Sequence, residues 1–283
     1  MAGTLDRRRF VHLAALSGAA ALAGCGTSDA LGDRQPVRLG YVSPQSGPLF
    51  AFGQADSFVV EDAERAFKDG LRIGGRAHPV EILVRDSQSS PRRAGEVARD
   101  LIHRDQVALM LAASTPETTN PVADACEEAG VPCISTATPY QSWYLARDPA
   151  PDARDPKPYQ WTWHFFWGLE DITAVFAEMW GQVETNMVLG GLWPDDHDGR
   201  AWGVGVPRVL RNQGYHIVDP GRYTDEKDSF ATEIDAFKAG LAEIVTGVPL
   251  PSDFATFWKQ AAQQGFHPRI ATIAKTGTMS SSS

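Results

Sequence analysis

The chain has 283 residues, of which 43% are hydrophobic and 22% charged, and its formal net charge is −9. That is the composition of a globular protein long enough for two ordinary α/β units, and it excludes a wholly disordered chain. The acidic balance argues against a nucleic-acid partner, which needs a basic face to displace phosphate counterions, and leaves small neutral or zwitterionic ligands open.

Residues 1–25 read as an address label. Arginines 7 to 9 precede an apolar run from Leu13 to Ala23 that is too short to span a bilayer. Arg7-Arg8-Arg9-Phe10-Val11 is similar to a twin-arginine export signal. Leu22-Ala23-Gly24-Cys25 resembles a bacterial lipobox, in which Cys25 becomes the lipidated first residue of the mature protein. Lipid chains there would tether the protein to a membrane surface without spanning it. With Cys25 set aside, Cys126 and Cys133 form an even pair in an oxidising compartment. They read either as a disulfide across the Gly130 turn or as two buried thiols; a catalytic cysteine has no His partner in view.

After a linker (26–36), strands and helices alternate. Val37–Ser43 reads as a buried strand, and Gly53–Lys68 as a helix with Phe58, Val59, Ala63, Ala66 and Phe67 on one side. Pro79–Asp86 is the second strand. The next helix takes Ser90 as N-cap and Pro91 in its first turn. Val107–Ala113, a helix over Pro116–Ala129 and a strand over Val131–Thr136 complete the first series. The proline- and aspartate-rich stretch 148–158 reads as an exposed loop. Beyond it the predicted helices 171–183, 200–212, 230–239 and 254–264 alternate with strands 187–193, 215–218, 243–246 and 269–274. Such alternation calls for right-handed βαβ crossovers and parallel sheets. Two series imply two lobes, residues 37–165 and 166–274, followed by a disordered tail, 275–283.

Ligands of open parallel sheets bind beyond the carboxyl ends of the strands. Those ends are rich in hydroxyls here. Ser114 and Thr115 follow the third strand; either can cap the next helix, and Ser114-x-x-Glu117 fits a capping box. A helix N-terminus suits a carboxylate, and Ser135, Thr136 and Thr138 would add donors beside it. Ordinary capping and turn chemistry would account for either cluster alone. Phe50 and Phe52 read equally as pocket walls or as a staple at the first helix. In the second series Asp195, Asp196 and Asp198 stand where a helix begins. One would cap it and another would face the cleft to meet an ammonium group. The alternative, a divalent metal on Asp195, Asp196, His197 and Asp198 serving an exported hydrolase, lacks a distant His or Cys to complete the set. Trp143, Tyr144, Trp163, Phe166, Trp167 and Trp193 fall near the lobe junction or strand ends. No G-x-S-x-G, P-loop, H-E-x-x-H or strand-borne G-x-G-x-x-G is present, so neither an enzyme nor a cofactor is expected.

Taken together, the lipobox, "LGYVSPQSGPLFAFGQ", "LAASTPETTNPVADACEEAGVPCIST", "GGLWPDDHDGRAW", "YTDEKDSFATEIDAFKA" and "IVTGVPLPSDFATFWKQAAQQGF" resemble the type 1 periplasmic solute-binding proteins of ABC importers, in the leucine/isoleucine/valine-binding group. The resemblance implies a two-lobed α/β fold, each lobe a doubly wound parallel sheet flanked by helices. It implies a clamp closing on an amino acid or related carboxylate and handing it to an ABC permease. By position it places Ser114 and Thr115 in one ligand loop, Ser135, Thr136 and Thr138 in a second, and Phe52 on the wall. Asp196, Asp198 and the stretch from Val248 to Pro249 fall on the second lobe's side. A ligand-sensing domain of the same fold is the alternative. Members of the group run on past the strand ending at Ala274, so the second lobe is expected to be incomplete, with Lys275 standing where a contact would otherwise be and apolar faces left uncovered.

Overall fold

The computed structural model describes residues 35–147 and 159–276. The arginine cluster, Cys25 and the 148–158 loop lie outside the described residues, as does the tail beyond Thr276. Two compact units divide the described residues: one holds 35–37 with Asp62–Glu81, the other Arg38–Glu61 with 82–147 and 159–276. Within the first unit, β2 (Leu71–Ile73) and β3 (Arg76–His78) form an antiparallel hairpin. Gly74 and Gly75 make its turn with φ of 58° and 79°, the left-handed pair a tight hairpin demands. Sequence patterning missed this hairpin.

The remaining strands belong to two parallel sheets. The first has the order β4-β1-β5-β6-β7, from β1 (Val37–Ser43), β4 (Val80–Asp86), β5 (Leu109–Ala113), β6 (Cys133–Thr136) and β7 (Thr162–Phe165). Its register sets Leu39 against Leu109, Met110 against Cys133 and Cys133 against Thr162. After β1 the chain forms α1 (Phe50–Gly53) and α2 (Asp56–Ala66); α3 (Pro91–His103), α4 (Pro116–Ala129) and α5 (Tyr140–Arg147) follow. Ser90 caps α3 as expected, its Oγ accepting from the Arg93 N–H at 3.3 Å. The apolar stripes of α3 and α4, including Val97, Leu101, Val122 and Cys126, pack on Val42, Met110 and Cys133 from the sheet. Trp143 of α5 closes this core.

The first half departs from the sequence reading in detail. The helix expected over Gly53–Lys68 forms as α2, preceded by the short α1, but its Phe58 and Val59 are exposed instead of packed on one side. Residues 140–147 are helical, and 162–165 form the sheet's edge strand. Trp163 and Phe165 project from that edge, exposed with Ile134 of β6. Cys126 and Cys133 are both free thiols, fully buried and hydrogen-bonded to each other. Of the two readings open to this pair, the structure holds the unbonded one. Mutual hydrogen bonding and burial push the Cys126 thiol well above its ordinary pKa.

The second sheet runs β10-β8-β11-β12, with β9 also on β8. Its strands are β8 (Val188–Pro194), β9 (His216–Val218), β10 (Arg222–Tyr223), β11 (Ile244–Gly247) and β12 (Ile270–Ile273). Helices α6 (Leu169–Trp180), α7 (His197–Arg211), α8 (Ala231–Ala239) and α9 (Pro251–Gln263) alternate with them. This sheet has a core on each face. Leu189, Trp193, Ile244, Trp180, Trp202 and Leu210 form one; Leu192, Val245, Phe230, Phe237 and Phe257 form the other. The adjacent glycines of β8 permit this. A Cβ at Gly190 would sit 2.7 Å from the Phe237 ring, and one at Gly191 2.3 Å from the Trp193 indole. Each fully buried indole removes about 200 Å² from water, at most about 5 kcal/mol apiece. Among the described residues no helix is long and apolar enough to cross a membrane.

Candidate functional site

The ends of the parallel strands converge on one cavity of about 760 Å³. Ala51, Phe52, Gln54 and Ala55 reach it from the segment after β1, and Ala113 and Thr115 from the β5–α4 junction. Ala137 and Pro139 come from the loop after β6. The second sheet sends Asp198 and Trp202 from α7, Val248 after β11, and Ala274 with Lys275 after β12. Phe166, Trp167, Ile172 and Phe176 complete the wall. Lining from both sheets is therefore apolar and aromatic, with few polar groups, as in sites for small organic molecules.

Thr115 is the N-cap of α4, yet its side chain makes no capping bond. Pro116 at the first helical position has no N–H to be capped. The Thr115 hydroxyl is 2% exposed and has no partner, and neither does the buried hydroxyl of Ser114. The capping box expected of Ser114 and Glu117 does not form. Glu117 instead takes the His197 backbone N–H at 3.0 Å, linking α4 to the start of α7. Burial, followed by the charges of Asp196 and Asp198, raises the Glu117 carboxyl above its ordinary value.

The acidic cluster of the second lobe divides its work. Asp195 is exposed and pairs with Arg200 at 2.9 Å. Asp196 is the N-cap of α7, accepting the Gly199 N–H at 2.6 Å. Gly199 is needed there, because a Cβ would lie 1.9 Å from the Pro194 carbonyl oxygen. Asp198 faces the cavity and meets an ammonium group, but that group is the protein's own. Lys275 Nζ lies 3.1 Å from Asp198 and 3.2 Å from Asp196. Lys275 is thus a buried member of the site and not the start of a disordered tail. Burial alone would lower its pKa; the carboxylates of Asp198, Asp196 and Glu117 outweigh that and hold it above the ordinary lysine value. The four consecutive residues 195–198 do not gather as metal ligands, and no such cluster occurs among the described residues.

Asp198 has a second tie. The Thr138 hydroxyl donates to its Oδ1 at 3.0 Å, joining the loop after β6 to α7. That loop is held from behind by His164, whose ring nitrogens meet Ser135 Oγ at 2.9 Å and the Thr138 carbonyl at 2.6 Å. Burial lowers the His164 pKa, so the neutral ring is favoured. Ala137 at the loop's turn has φ of 76°, a costly conformation for a residue with a Cβ.

Of the residues singled out from sequence, Phe52, Thr115, Phe166, Trp167, Asp198, Val248 and Lys275 line the cavity. Thr138 and Asp196 support it from one contact away. Ser114 is buried beside Thr115 without lining the cavity. Ser135 is spent on His164, and Thr136 donates to the Phe165 carbonyl at 2.6 Å, away from the cavity and beside an adjoining groove. Phe50 is exposed. Glu117, Ile172, Phe176 and Trp202 carried no sequence signal beyond their apolar or capping periodicity.

The family model for periplasmic binding proteins matches residues 36–282. No curated protein matches the chain closely enough in sequence to count as a relative. Among solved structures, the chain is similar to an ABC transporter solute-binding protein from Rhodopseudomonas palustris in complex with 4-hydroxybenzoate: 16% identity, TM-score 0.67, 86% of this chain and 63% of that one. It is also similar to the branched-chain amino acid transporter substrate-binding protein LivJ from Streptococcus pneumoniae in complex with isoleucine, at 18% identity and TM-score 0.62, covering 83% of this chain and 63% of that one. The leucine-binding protein LivK from Thermotoga maritima gives 15% identity and TM-score 0.69, with the same coverage of each chain. The chain spans about three-fifths of the length of the solved structures it matches. Likeness at such identities is one of fold.

Proposed function

This chain belongs to the periplasmic binding protein family, and on that premise we propose that it is the exported solute-binding component of an ABC importer. It captures an amino acid or a related small carboxylate in the cavity and presents it to a membrane permease. The observation that carries this reading is the unpartnered Thr115 hydroxyl, 2% exposed, at the N-terminus of α4 on the wall of a 760 Å³ cavity. An orphaned buried donor costs about 1–3 kcal/mol, and a bound carboxylate would satisfy it at the positive end of the α4 dipole. The resemblance of solved neighbours that hold isoleucine or 4-hydroxybenzoate supports the same class. The reading needs no covalent step. Calorimetry of the full chain against aliphatic and aromatic amino acids and small carboxylates is the test; absence of heat with every one of them at millimolar concentration would remove the proposal.

Anchoring belongs to the same proposal. Cys25 carries the lipid, and the protein works from the outer face of the membrane. Cys25→Ser should move the protein from the membrane fraction to the soluble exported fraction, and a wild-type protein already soluble would refute the anchor.

A further inference from the structure

We infer that the solute is a carboxylate with a bulky, flat apolar body and no ammonium group beside that carboxylate; the inference rests on the cavity being the solute site. Two features of the wall lead to it. The first is size and surface. Phe52, Phe166, Trp167, Phe176 and Trp202 present aromatic side chains to a space of about 760 Å³, in the range that takes drug-sized molecules and far more than a branched aliphatic amino acid fills. Ring faces and edges of this kind favour offset or edge-on contact with another flat π-system.

The second feature is the balance of polar groups. An α-amino acid brings an ammonium that needs an acceptor. Asp198 is the one carboxylate lining the cavity, its side chain is 3% exposed, and both its oxygens are engaged, by Thr138 at 3.0 Å and by Lys275 at 3.1 Å. Asp196 behind it is likewise held by the Gly199 N–H and Lys275. An incoming ammonium would have to displace Lys275 or sit against its like charge, and Lys275 is itself on the cavity wall. The unmet demand is of the opposite kind. Thr115 Oγ1 has no partner, and it stands at the start of a 14-residue helix. A donor, a helix N-terminus and a cation on the wall together ask for an acceptor head, while the carboxylate of Asp198, which would meet an ammonium, is already spent on Lys275 and Thr138.

Calorimetry of the full chain at neutral pH with four probes separates the cases. 3-Phenylpropionate carries ring and carboxylate, L-phenylalanine adds only the ammonium, phenethylamine keeps the ammonium without the carboxylate, and L-leucine is the aliphatic comparison. The expected order places 3-phenylpropionate at least about tenfold tighter than L-phenylalanine, with no heat from phenethylamine. Thr115→Val should weaken 3-phenylpropionate about tenfold without lowering the melting temperature, and Thr115→Ser should restore it. L-Phenylalanine or L-leucine binding as tightly as 3-phenylpropionate, or tighter, overturns the inference and leaves the solute-binding reading standing. Phenethylamine binding as tightly, or an unchanged affinity in Thr115→Val, also overturns it. Silence from all four probes overturns the inference; if the wider panel of amino acids and carboxylates is silent too, the solute-binding reading falls with it.

Discussion

Replacing Lys275 by Met keeps a side chain of similar length and removes its charge. In the wild-type protein Nζ lies 3.1 Å from Asp198 and 3.2 Å from Asp196, with all three side chains almost wholly buried. At an effective dielectric of about 20, unit charges about 3 Å apart attract by roughly 5 kcal/mol. Desolvation of the three ions offsets much of the sum of two such contacts. Removing the cation alone, however, leaves two buried carboxylates facing each other with only the Gly199 N–H and the Thr138 hydroxyl as donors. Loss of one partner from a buried pair costs about 3–5 kcal/mol, and Glu117 nearby adds repulsion of the same sign. The expected outcome in urea unfolding at pH 7.5 is a loss of about 3–5 kcal/mol at constant slope. Lys275→Met combined with Asp196→Asn and Asp198→Asn should recover most of the stability. A loss below about 1 kcal/mol, or no recovery in the triple variant, would refute the account of a buried charge triad.

Three further outcomes follow from the geometry. Burial and the neighbouring charge of Asp196 push the Asp225 carboxyl up to about 7; a carboxyl raised on folding binds its proton more tightly in the native state, so its presence costs stability increasingly as pH rises from the unfolded carboxylate range to about 7. Asp225→Asn should therefore raise the melting temperature at pH 8 and not at pH 4, by a gain on the order of 1 kcal/mol once solvent screening is allowed for; equal gains at both pH values would sink the idea. Gly199→Ala drives a Cβ to within 1.9 Å of the Pro194 carbonyl oxygen and should cost about 2–3 kcal/mol or more in chemical denaturation, whereas a neutral substitution would show that the start of α7 yields freely. Cys126 and Cys133, buried and hydrogen-bonded to each other, should ignore a thiol reagent in the native protein and react in denaturant without prior reduction; thiols that appear only after reduction would reveal a disulfide.

What could be read from the sequence follows the range of the forces involved. Alternation of apolar strands and amphipathic helices is local, and it located β1, β4, β5, α3, α4 and all of the second sheet's larger elements to within a few residues. Ser90 as a cap was equally local. The first long helix misled because Phe58 and Val59 fit an apolar stripe that the structure leaves exposed. Residues 140–147 and 162–165 were missed because a proline-rich segment and a run of aromatics obscured any period. The rule that ligands gather at the carboxyl ends of strands pointed to Phe52, Thr115 and Asp198, which the structure sets on the cavity wall. It could not say which hydroxyls were already occupied: Ser135 belongs to His164 and Thr136 to the Phe165 carbonyl. Partners distant in sequence were beyond reach. Lys275 and Asp196 are separated by 79 positions, and Glu117 and His197 by 80, so nothing in a local window joins a lone lysine to an acidic cluster or lifts a glutamate out of its capping box.

The two hydrogen bonds that tie the start of α7 to Glu117, which accepts, and to Thr138, which donates, have a thermodynamic consequence of their own. Both join strand-end segments of the first sheet to the second lobe, and neither includes a solute atom. Such bonds bias the walls toward this arrangement independently of what the solute contributes. Apparent affinity scales with the fraction of molecules already in the binding-competent arrangement. Two solutes making identical wall contacts would then rank alike, but a change at Thr138, one bond behind the cavity, would scale the affinity of both by the same factor. In the proposed solute site, specificity would then be written in the aromatic wall and strength of capture in two hydrogen bonds that lie behind it.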